Sequence, residues 1–123
     1  MNEKTVLIVE DDTWLAQQYQ RVLTRAGLGV ILASSANEAI DVIDEVGADV
    51  IVLDILLTGS TAFALLHELQ SYSDTCSIPV IICTSLADEL FIEDLKPYGV
   101  DSILDKTEMK PIDLTSAIQG ALR

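Results

Sequence analysis

The sequence feature that most constrains the fold is a run of four aliphatic residues, Val50–Leu53, followed directly by Asp54. A continuous apolar run of this length, rich in β-branched side chains, is typical of a strand buried on both faces of a parallel sheet. A carboxylate inside such a run would be costly, but at the carboxyl end of a parallel strand it faces the crevice where α/β folds bind ligands. The run by itself leaves two interpretations open for Asp54, a functional carboxylate or a solvated residue that ends the strand.

Four other short apolar runs predict further strands. They are Val6–Val9, Val30–Ala33, Val80–Cys83 and Val100–Leu104. Apolar residues recur at helical spacing after each run and predict five helices, of which the fourth is a weaker one from Leu86 to about Lys96. Strands that alternate with helices form a doubly wound sheet, because right-handed crossovers place helices on both faces. We therefore predict a single α/β domain, residues 1–123, with a five-stranded parallel sheet.

Charge restricts the partners that such a domain can bind. The chain has 20 Asp and Glu against 7 Lys and Arg, a formal net charge of -13 at pH 7. Direct binding to nucleic acid or to an anionic membrane is disfavoured, because both need Lys and Arg to neutralise phosphate. No signal peptide or membrane-length apolar run is visible, and we expect Cys76 and Cys83 to be free thiols. These features predict a cytoplasmic protein that binds cations or a basic protein surface.

Functional side chains follow four of the five predicted strands. Acidic residues 10–12 come after the first strand, Asp54 after the third, Thr84 after the fourth, and Lys106 just beyond the fifth. All strands of a parallel sheet end at the same edge, so we expect these side chains to meet although they are far apart in sequence.

Such a set of side chains is suited to phosphoryl chemistry. Clustered carboxylates repel one another unless a cation neutralises them, and oxygen ligands of this kind suit Mg²⁺. A carboxylate beside bound Mg²⁺ can act as a nucleophile on phosphorus, while Lys106 and the Thr84 hydroxyl would stabilise the charge on the phosphoryl oxygens. The order acid, acid, hydroxyl and lysine on successive strand ends therefore favours a functional Asp54.

The sequence resembles the receiver domains of two-component response regulators. The resemblance rests on residues 6–12, Val52–Asp54, Thr84 and Lys106, at the intervals usual for that family, and it covers essentially the whole chain. It implies a flavodoxin-like receiver fold with strand order 2-1-3-4-5. It also implies a signalling domain rather than an enzyme with turnover, one that catalyses only its own phosphorylation and slow dephosphorylation.

The resemblance implies a role for each acidic residue of the site. Asp54 would be the phosphoacceptor, supplied by a histidine kinase, a phosphotransfer protein or a small phosphodonor. Asp11, Asp54 and the backbone carbonyl of Leu56 would bind Mg²⁺ directly, and Glu10 would act mainly through a metal-bound water. These assignments give Glu10, Asp11, Asp54 and Leu56 as the metal site.

The resemblance also implies how phosphorylation is read. Thr84 would bond a phosphoryl oxygen, and Lys106 would pair with the phosphoryl group. The surface formed by helix 4, strand 5 and helix 5 would then change its affinity for a downstream protein.

Four features depart from the family pattern. Residues 58–62 replace the usual Pro and Gly after the acceptor loop, Ser85 stands where Ala is common, and Thr107 stands in place of a cis-Pro. Ile103 occupies the position of the usual aromatic switch residue. None of these changes removes a group of the site, so phosphorylation is still expected, but the aromatic switch is missing.

Other functions follow from the same residues with less support. A degenerate receiver would act as a phosphorylation-independent protein-binding module, which the irregular loops and Ile103 favour. A haloacid-dehalogenase-like phosphatase needs a second Asp two residues after the nucleophile, where this chain has Leu56. A flavin-binding protein needs a phosphate-binding loop after the first strand. Whether the domain acts alone or belongs to a longer chain stays open.

Overall fold

Five parallel strands form one sheet in the order β2-β1-β3-β4-β5. The strands are β1 (Thr5–Val9), β2 (Gly29–Ala33), β3 (Val50–Leu53), β4 (Val80–Thr84) and β5 (Val100–Asp105). The computed structural model describes residues 3–56 and 62–123. The strand order and the parallel pairing confirm the doubly wound α/β architecture predicted from the sequence.

Helices connect the strands and cover both faces of the sheet. They are α1 (Thr13–Arg25), α2 (Ala36–Glu45), α3 (Ala62–Gln70), α4 (Ile92–Leu95) and α5 (Pro111–Ala121), with 3-10 turns at Ala87–Glu89 and Lys96–Tyr98. No helix of the described residues is long and apolar enough to cross a membrane.

The segment between β4 and β5 differs from the sequence prediction. The single helix predicted from Leu86 to about Lys96 is wrong in its extent, because α4 is one turn long and stands between two 3-10 turns. The backbone is extended at Leu90 and Phe91, which separates the first 3-10 turn from α4. Neither Leu86 nor Phe91 caps the N–H groups that follow it, so these short turns begin without the side-chain hydrogen bond that stabilises a longer helix.

Two clusters of buried side chains fill the space between the sheet and its helices. On one face, α2, α3 and α4 contribute Ala39, Ile43, Leu65, Leu66, Leu69 and Leu95. On the other face, α1 and α5 contribute Tyr19, Leu23, Leu114 and Ile118. All four residues of β3 are buried, which confirms that the run before Asp54 is a central strand.

Some predictions fall on residues that the structure does not describe. Of the predicted loop over residues 56–60, only Leu56 is described. The predicted opening of the next helix at Ser60 or Thr61 lies outside the described residues, as does the departure at residues 58–62 except for Ala62, where the described part of α3 begins. The two cysteines are free, Cys83 buried in β4 and Cys76 exposed after α3, as the sequence predicts.

Candidate functional site

The parallel sheet brings the predicted site residues to one edge. Glu10 follows β1, Asp54 follows β3, Thr84 is the last residue of β4, and Lys106 follows β5. The strands β1, β3, β4 and β5 are neighbours in that order, so their carboxyl ends lie side by side. We call Glu10, Asp54, Thr84 and Lys106 the carboxyl-edge site.

Lys106 lies between two buried carboxylates. Its Nζ is 2.5 Å from Oδ2 of Asp54 and 2.6 Å from Oε1 of Glu10. The side chains of Glu10 and Asp54 are 3% and 6% exposed, and that of Lys106 is 19% exposed. Carboxylates buried to this extent need a paired cation, because the loss of hydration is otherwise uncompensated.

Backbone amides hold the remaining oxygen of each carboxylate. The N–H of Asp12 donates to Oε2 of Glu10 (3.1 Å), and the N–H of Leu56 donates to Oδ1 of Asp54 (3.0 Å). Each carboxylate is therefore bound by an ammonium on one oxygen and by an amide on the other. This arrangement fixes the orientation of Asp54 at the end of β3.

Burial and pairing shift the ionisation of this site in opposing ways. Burial raises the pKa of Glu10, and the hydrogen bond from Lys106 opposes that rise. Burial by itself lowers the pKa of Lys106, but the hydrogen bonds to Asp54 and Glu10 outweigh it and hold the pKa above its ordinary value. Lys106 is therefore a fixed positive charge at neutral pH.

Thr84 is fully buried beside this ion pair. Its hydroxyl oxygen accepts a hydrogen bond from the N–H of Leu86 (3.2 Å), and its carbonyl accepts one from the N–H of Lys106 (3.0 Å). The second bond ties the backbone of Lys106 to the end of β4. The hydroxyl and the ammonium are thus placed on adjacent strand ends.

A hydrogen-bonded turn at the end of β5 includes Lys106 and Thr107, and Thr107 stands at the position where the family usually has proline. The N–H and the hydroxyl of Thr107 donate to Oδ1 of Asp105 at 2.9 and 2.7 Å. These hydrogen bonds lower the pKa of Asp105. No cis peptide bond occurs among the described residues.

Asp11, the third carboxylate of the predicted metal site, follows Glu10 directly, and Asp12 is the next residue along. Asp11 is exposed, and Asp12 caps α1 by accepting the N–H of Leu15 (3.1 Å). In the described part of the chain, no group of three His, Cys, Asp or Glu side chains is arranged to hold a metal ion. The donor set of carboxylates and a backbone carbonyl suits Mg²⁺ chemically, and an ion bound there would share Glu10 and Asp54 with Lys106.

A buried polar contact beneath the site was not anticipated from the sequence. Oη of Tyr19 on α1 lies 3.4 Å from Sγ of Cys83, which in turn lies 3.4 Å from Sδ of Met109. Burial raises the pKa of both Tyr19 and Cys83, so both stay protonated at neutral pH. The sequence showed only that Tyr19 and Cys83 belong to apolar patterns of a helix and a strand, and it did not show that they are in contact.

Comparison with known proteins identifies the family. The sequence matches the response regulator receiver domain over residues 6–119. The chain belongs to this family. The resemblance inferred from the strand-end residues is therefore confirmed, and it extends over both faces of the fold.

Individual relatives of this receiver domain agree with that assignment. The transcriptional regulatory protein YvrH of Bacillus subtilis is 30% identical over an alignment of 124 positions, which covers 100% of this chain and 51% of YvrH. The chain spans about half the length of the curated relatives that it matches first.

Solved structures show the same fold. A response regulator described as putative, from Chloroflexus aurantiacus, superposes with a TM-score of 0.85 at 27% identity and 98% coverage of both chains. The receiver domain of a sensor histidine kinase from Pseudomonas aeruginosa superposes with a TM-score of 0.86 at 21% identity, again with 98% coverage of both chains. That structure was described with a magnesium ion coordinated in its active site cleft.

Proposed function

We propose that this receiver domain accepts a phosphoryl group on Asp54 and thereby switches a protein-interaction surface. The observation that carries the proposal is the pairing of a buried Asp54 with Lys106 at 2.5 Å, at the carboxyl edge of the sheet. A buried carboxylate on a rigid strand end, with a fixed cation beside it, is positioned both to attack phosphorus and to have the resulting charge neutralised.

The phosphodonor is a phosphohistidine of a histidine kinase or of a phosphotransfer protein. An oxygen of Asp54 attacks the phosphorus, the phosphorus–nitrogen bond breaks, and its electron pair remains on the imidazole of the donor. The product is an acyl phosphate on Asp54, which carries a charge of about −1.5 to −2 in place of the single negative charge of the carboxylate. Lys106 stabilises that charge, and the Thr84 hydroxyl donates to a phosphoryl oxygen.

Magnesium is the cofactor that this donor set would hold. Glu10, Asp11, Asp54 and the backbone carbonyl of Leu56 are the oxygen ligands, and a bound Mg²⁺ would supply further positive charge to the phosphoryl oxygens. The magnesium ion described in the Pseudomonas aeruginosa receiver supports this assignment.

An apolar groove beside the site provides a contact surface for the phosphodonor protein. It lies between α1 and α5, has a volume of about 300 Å³, and is bordered by Lys106. Trp14 at the start of α1 is 67% exposed and lines the groove together with Met109 and Pro111. Because these apolar side chains adjoin one another along the groove, they form a contiguous patch of the kind that marks protein-interaction sites.

The domain acts as a switch rather than as an enzyme with turnover. It catalyses its own phosphorylation and a slow hydrolysis of the acyl phosphate. Leu56 is two residues after the acceptor and is 52% exposed, and we expect its apolar side chain to hinder an attacking water.

The output surface is the face formed by α4, β5 and α5, which would dock a downstream protein. Phe91, which precedes α4, is 71% exposed on this side of the molecule. Ile103 of β5 is half-buried and packs against the cluster under α2, α3 and α4. Because this residue is isoleucine, the position has no aromatic ring that could reorient on phosphorylation. A shift of the short α4 segment, which has little helical structure to preserve, is the proposed response.

Intact-protein mass spectrometry after incubation with acetyl phosphate tests this proposal. The wild type is expected to gain one phosphoryl group in the presence of Mg²⁺ and none in the presence of EDTA. Asp54→Asn is expected to gain none, and the control Asp101→Asn, an exposed residue of β5, is expected to behave like the wild type. Absence of an adduct in the wild type would contradict the proposal and favour a phosphorylation-independent binding module.

A further inference from the structure

A continuous groove runs along the seam between α2 and α3, on the side of the sheet opposite α1 and α5. Three adjoining depressions of about 90, 180 and 400 Å³ form it. The first two share Ile40 and Glu68, and the second and third share Ile43, Asp74 and Thr75. We call this surface the α2–α3 groove. Its widest end lies at the amino edge of the sheet, away from Asp54.

The floor of the α2–α3 groove is apolar and its walls are acidic. Ile40, Ile43 and Leu69 contribute aliphatic surface. The carboxylates that line the groove are those of Asp44, Asp49, Glu68 and Asp74, and no Lys or Arg lines it. None of these carboxylates forms an ion pair with another described residue.

The sequence explains why these charges are not compensated within the domain. No Lys or Arg occurs between Arg25 and Lys96, and the only basic side chain in that interval is His67. The acidic residues of α2, of α3 and of the loops that follow these helices therefore have no Lys or Arg in their own segment. Because no cation among the described residues neutralises it, the negative potential of the groove can attract a positively charged partner.

The helices α2 and α3 form two walls of the groove, and the segment after α3 forms a third. Tyr72 lies on this segment, is 58% exposed and lines the central depression. The hydroxyl of Thr75 donates to the carbonyl of Leu69 (2.6 Å), the N–H of Cys76 donates to the carbonyl of Tyr72 (2.9 Å), and Nε2 of Gln70 donates to the carbonyl of Cys76 (3.0 Å). A wall held in this way loses little conformational entropy on binding.

We propose that the α2–α3 groove docks a basic amphipathic segment of a partner protein. Aliphatic side chains of that segment fill the floor over Ile40 and Ile43. Its Lys or Arg side chains pair with Asp44, Glu68 and Asp74, and one of them stacks on the exposed ring of Tyr72. Charge complementarity decides the class of partner, because an acidic or neutral segment would leave these carboxylates facing like charge or no charge. Binding here does not depend on phosphorylation of Asp54.

Fluorescence anisotropy with a defined peptide tests this docking site. The probe is a labelled peptide of repeated Leu-Arg-Lys-Leu, and its comparison is a peptide of repeated Leu-Glu-Asp-Leu. The basic peptide is expected to bind, with an affinity that falls as salt is added, and the acidic peptide is expected not to bind. In ¹⁵N-labelled protein, the basic peptide is expected to shift the amide signals of residues along α2 and α3.

Matched charge variants separate docking in the groove from general attraction to an acidic protein. Asp44→Asn/Asp74→Asn removes two carboxylates from the groove, and Asp88→Asn/Asp94→Asn removes two exposed carboxylates elsewhere. The groove variant is expected to weaken binding about tenfold, from two lost ion pairs, and the control by less than about twofold. Tyr72→Ala is expected to weaken binding several-fold, and Asp54→Asn to leave it unchanged.

Three outcomes would overturn the proposal. Equal weakening by the two charge variants would show nonspecific attraction. Amide shifts confined to α1 and α5 would place the peptide in the other groove. Self-association of the unliganded domain that Asp44→Asn/Asp74→Asn abolishes, measured by analytical ultracentrifugation, would make a second copy of the chain the occupant.

Discussion

The carboxyl-edge site and the α2–α3 groove are both rich in carboxylates, but they differ in how the negative charge is balanced. Glu10 and Asp54 are buried and share Lys106 at 2.6 and 2.5 Å. Asp44 and Asp74 are exposed and have no cation among the described residues. Burial accounts for the difference, because a buried carboxylate loses its hydration and needs an internal counter-charge, whereas an exposed one keeps its hydration.

This comparison separates two uses of acidic residues in one small domain. At the carboxyl-edge site the internal cation pairs with both buried carboxylates, and the proposed chemistry on Asp54 relies on this cation. The absence of internal cations leaves the α2–α3 groove to be neutralised from outside. The predictions below test that division by changing one region at a time, with a matched change in the other.

The largest effect is expected from removing the internal cation. Lys106→Met leaves Glu10 and Asp54 buried without a counter-charge and is expected to lower the free energy of unfolding by about 3 kcal/mol. Lys96→Met breaks an exposed pair with Glu93 (3.2 Å) and is expected to cost less than about 0.5 kcal/mol. Urea denaturation followed by circular dichroism at pH 7 measures both.

A second variant shows whether the loss comes from the unpaired carboxylates. Adding Glu10→Gln to Lys106→Met removes one of the two buried charges and is expected to recover part of the lost stability. If the double variant is no more stable than Lys106→Met, burial of uncompensated charge is not the cause.

Alkaline stability is expected to distinguish the buried tyrosine from the exposed one. Burial and the contact with Cys83 raise the pKa of Tyr19, so the folded protein keeps its proton while the unfolded chain loses it. A raised folded pKa gives stability that is present below the ordinary value of about 10 and is lost as the pH rises above it, by up to about 1.4 kcal/mol per pH unit. Tyr19→Phe is expected to flatten this fall in denaturation curves between neutral and alkaline pH.

The matched control for Tyr19 is Tyr72→Phe in the α2–α3 groove. This ring is exposed, and its replacement is expected to leave the alkaline slope as in the wild type. Equal flattening by the two variants would mean that burial of Tyr19 does not govern the slope.

The lifetime of the acyl phosphate is expected to depend on Leu56. Leu56→Asn replaces apolar bulk beside Asp54 with a group that can bind water, and it is expected to hasten phosphoryl loss several-fold. The lifetime is measured by following the phosphorylated mass with time after removal of acetyl phosphate. Val46→Asn, an exposed apolar residue just after α2, is expected to have no effect; an unchanged lifetime in Leu56→Asn would contradict the role given to its side chain.

The smallest effect is expected in the groove. Asp44→Asn/Asp74→Asn relieves repulsion among exposed carboxylates and is expected to raise the free energy of unfolding by up to about 0.5 kcal/mol at low salt. The gain is expected to shrink at high salt, because exposed charges are screened over about 10 Å at 0.1 M. A loss of stability would indicate that these carboxylates stabilise the fold. That result would contradict the contrast drawn between the paired carboxylates of the carboxyl-edge site and the unpaired ones of the α2–α3 groove.

Much of the fold was readable from local sequence patterns. Apolar runs such as Val50–Leu53 predicted every strand, because a buried parallel strand needs apolar residues on both faces. The meeting of Glu10, Asp54 and Lys106 followed from the rule that parallel strands end at one edge. The fourth helix was the exception, since its weak helical pattern did not reveal the extended backbone at Leu90 and Phe91.

The contacts within the site were not readable in the same way. Sequence placed Lys106 near the carboxylates, but only the packed structure shows it sharing Glu10 and Asp54, with backbone amides on their other oxygens. The contact of Tyr19 with Cys83 joins residues 64 apart on different elements and was likewise invisible in the sequence.

The sequence by itself determined the order of the elements, the family and the edge at which functional residues collect. The sequence also shows that no Lys or Arg occurs between Arg25 and Lys96. This gap produces an acidic groove only because α2 and α3 lie side by side in the folded chain. Only the tertiary structure decided which charges are buried in pairs and which line an open groove. The reason is physical: strand burial and helical periodicity act over a few residues, whereas hydration and charge pairing depend on side chains that come together only when the chain folds.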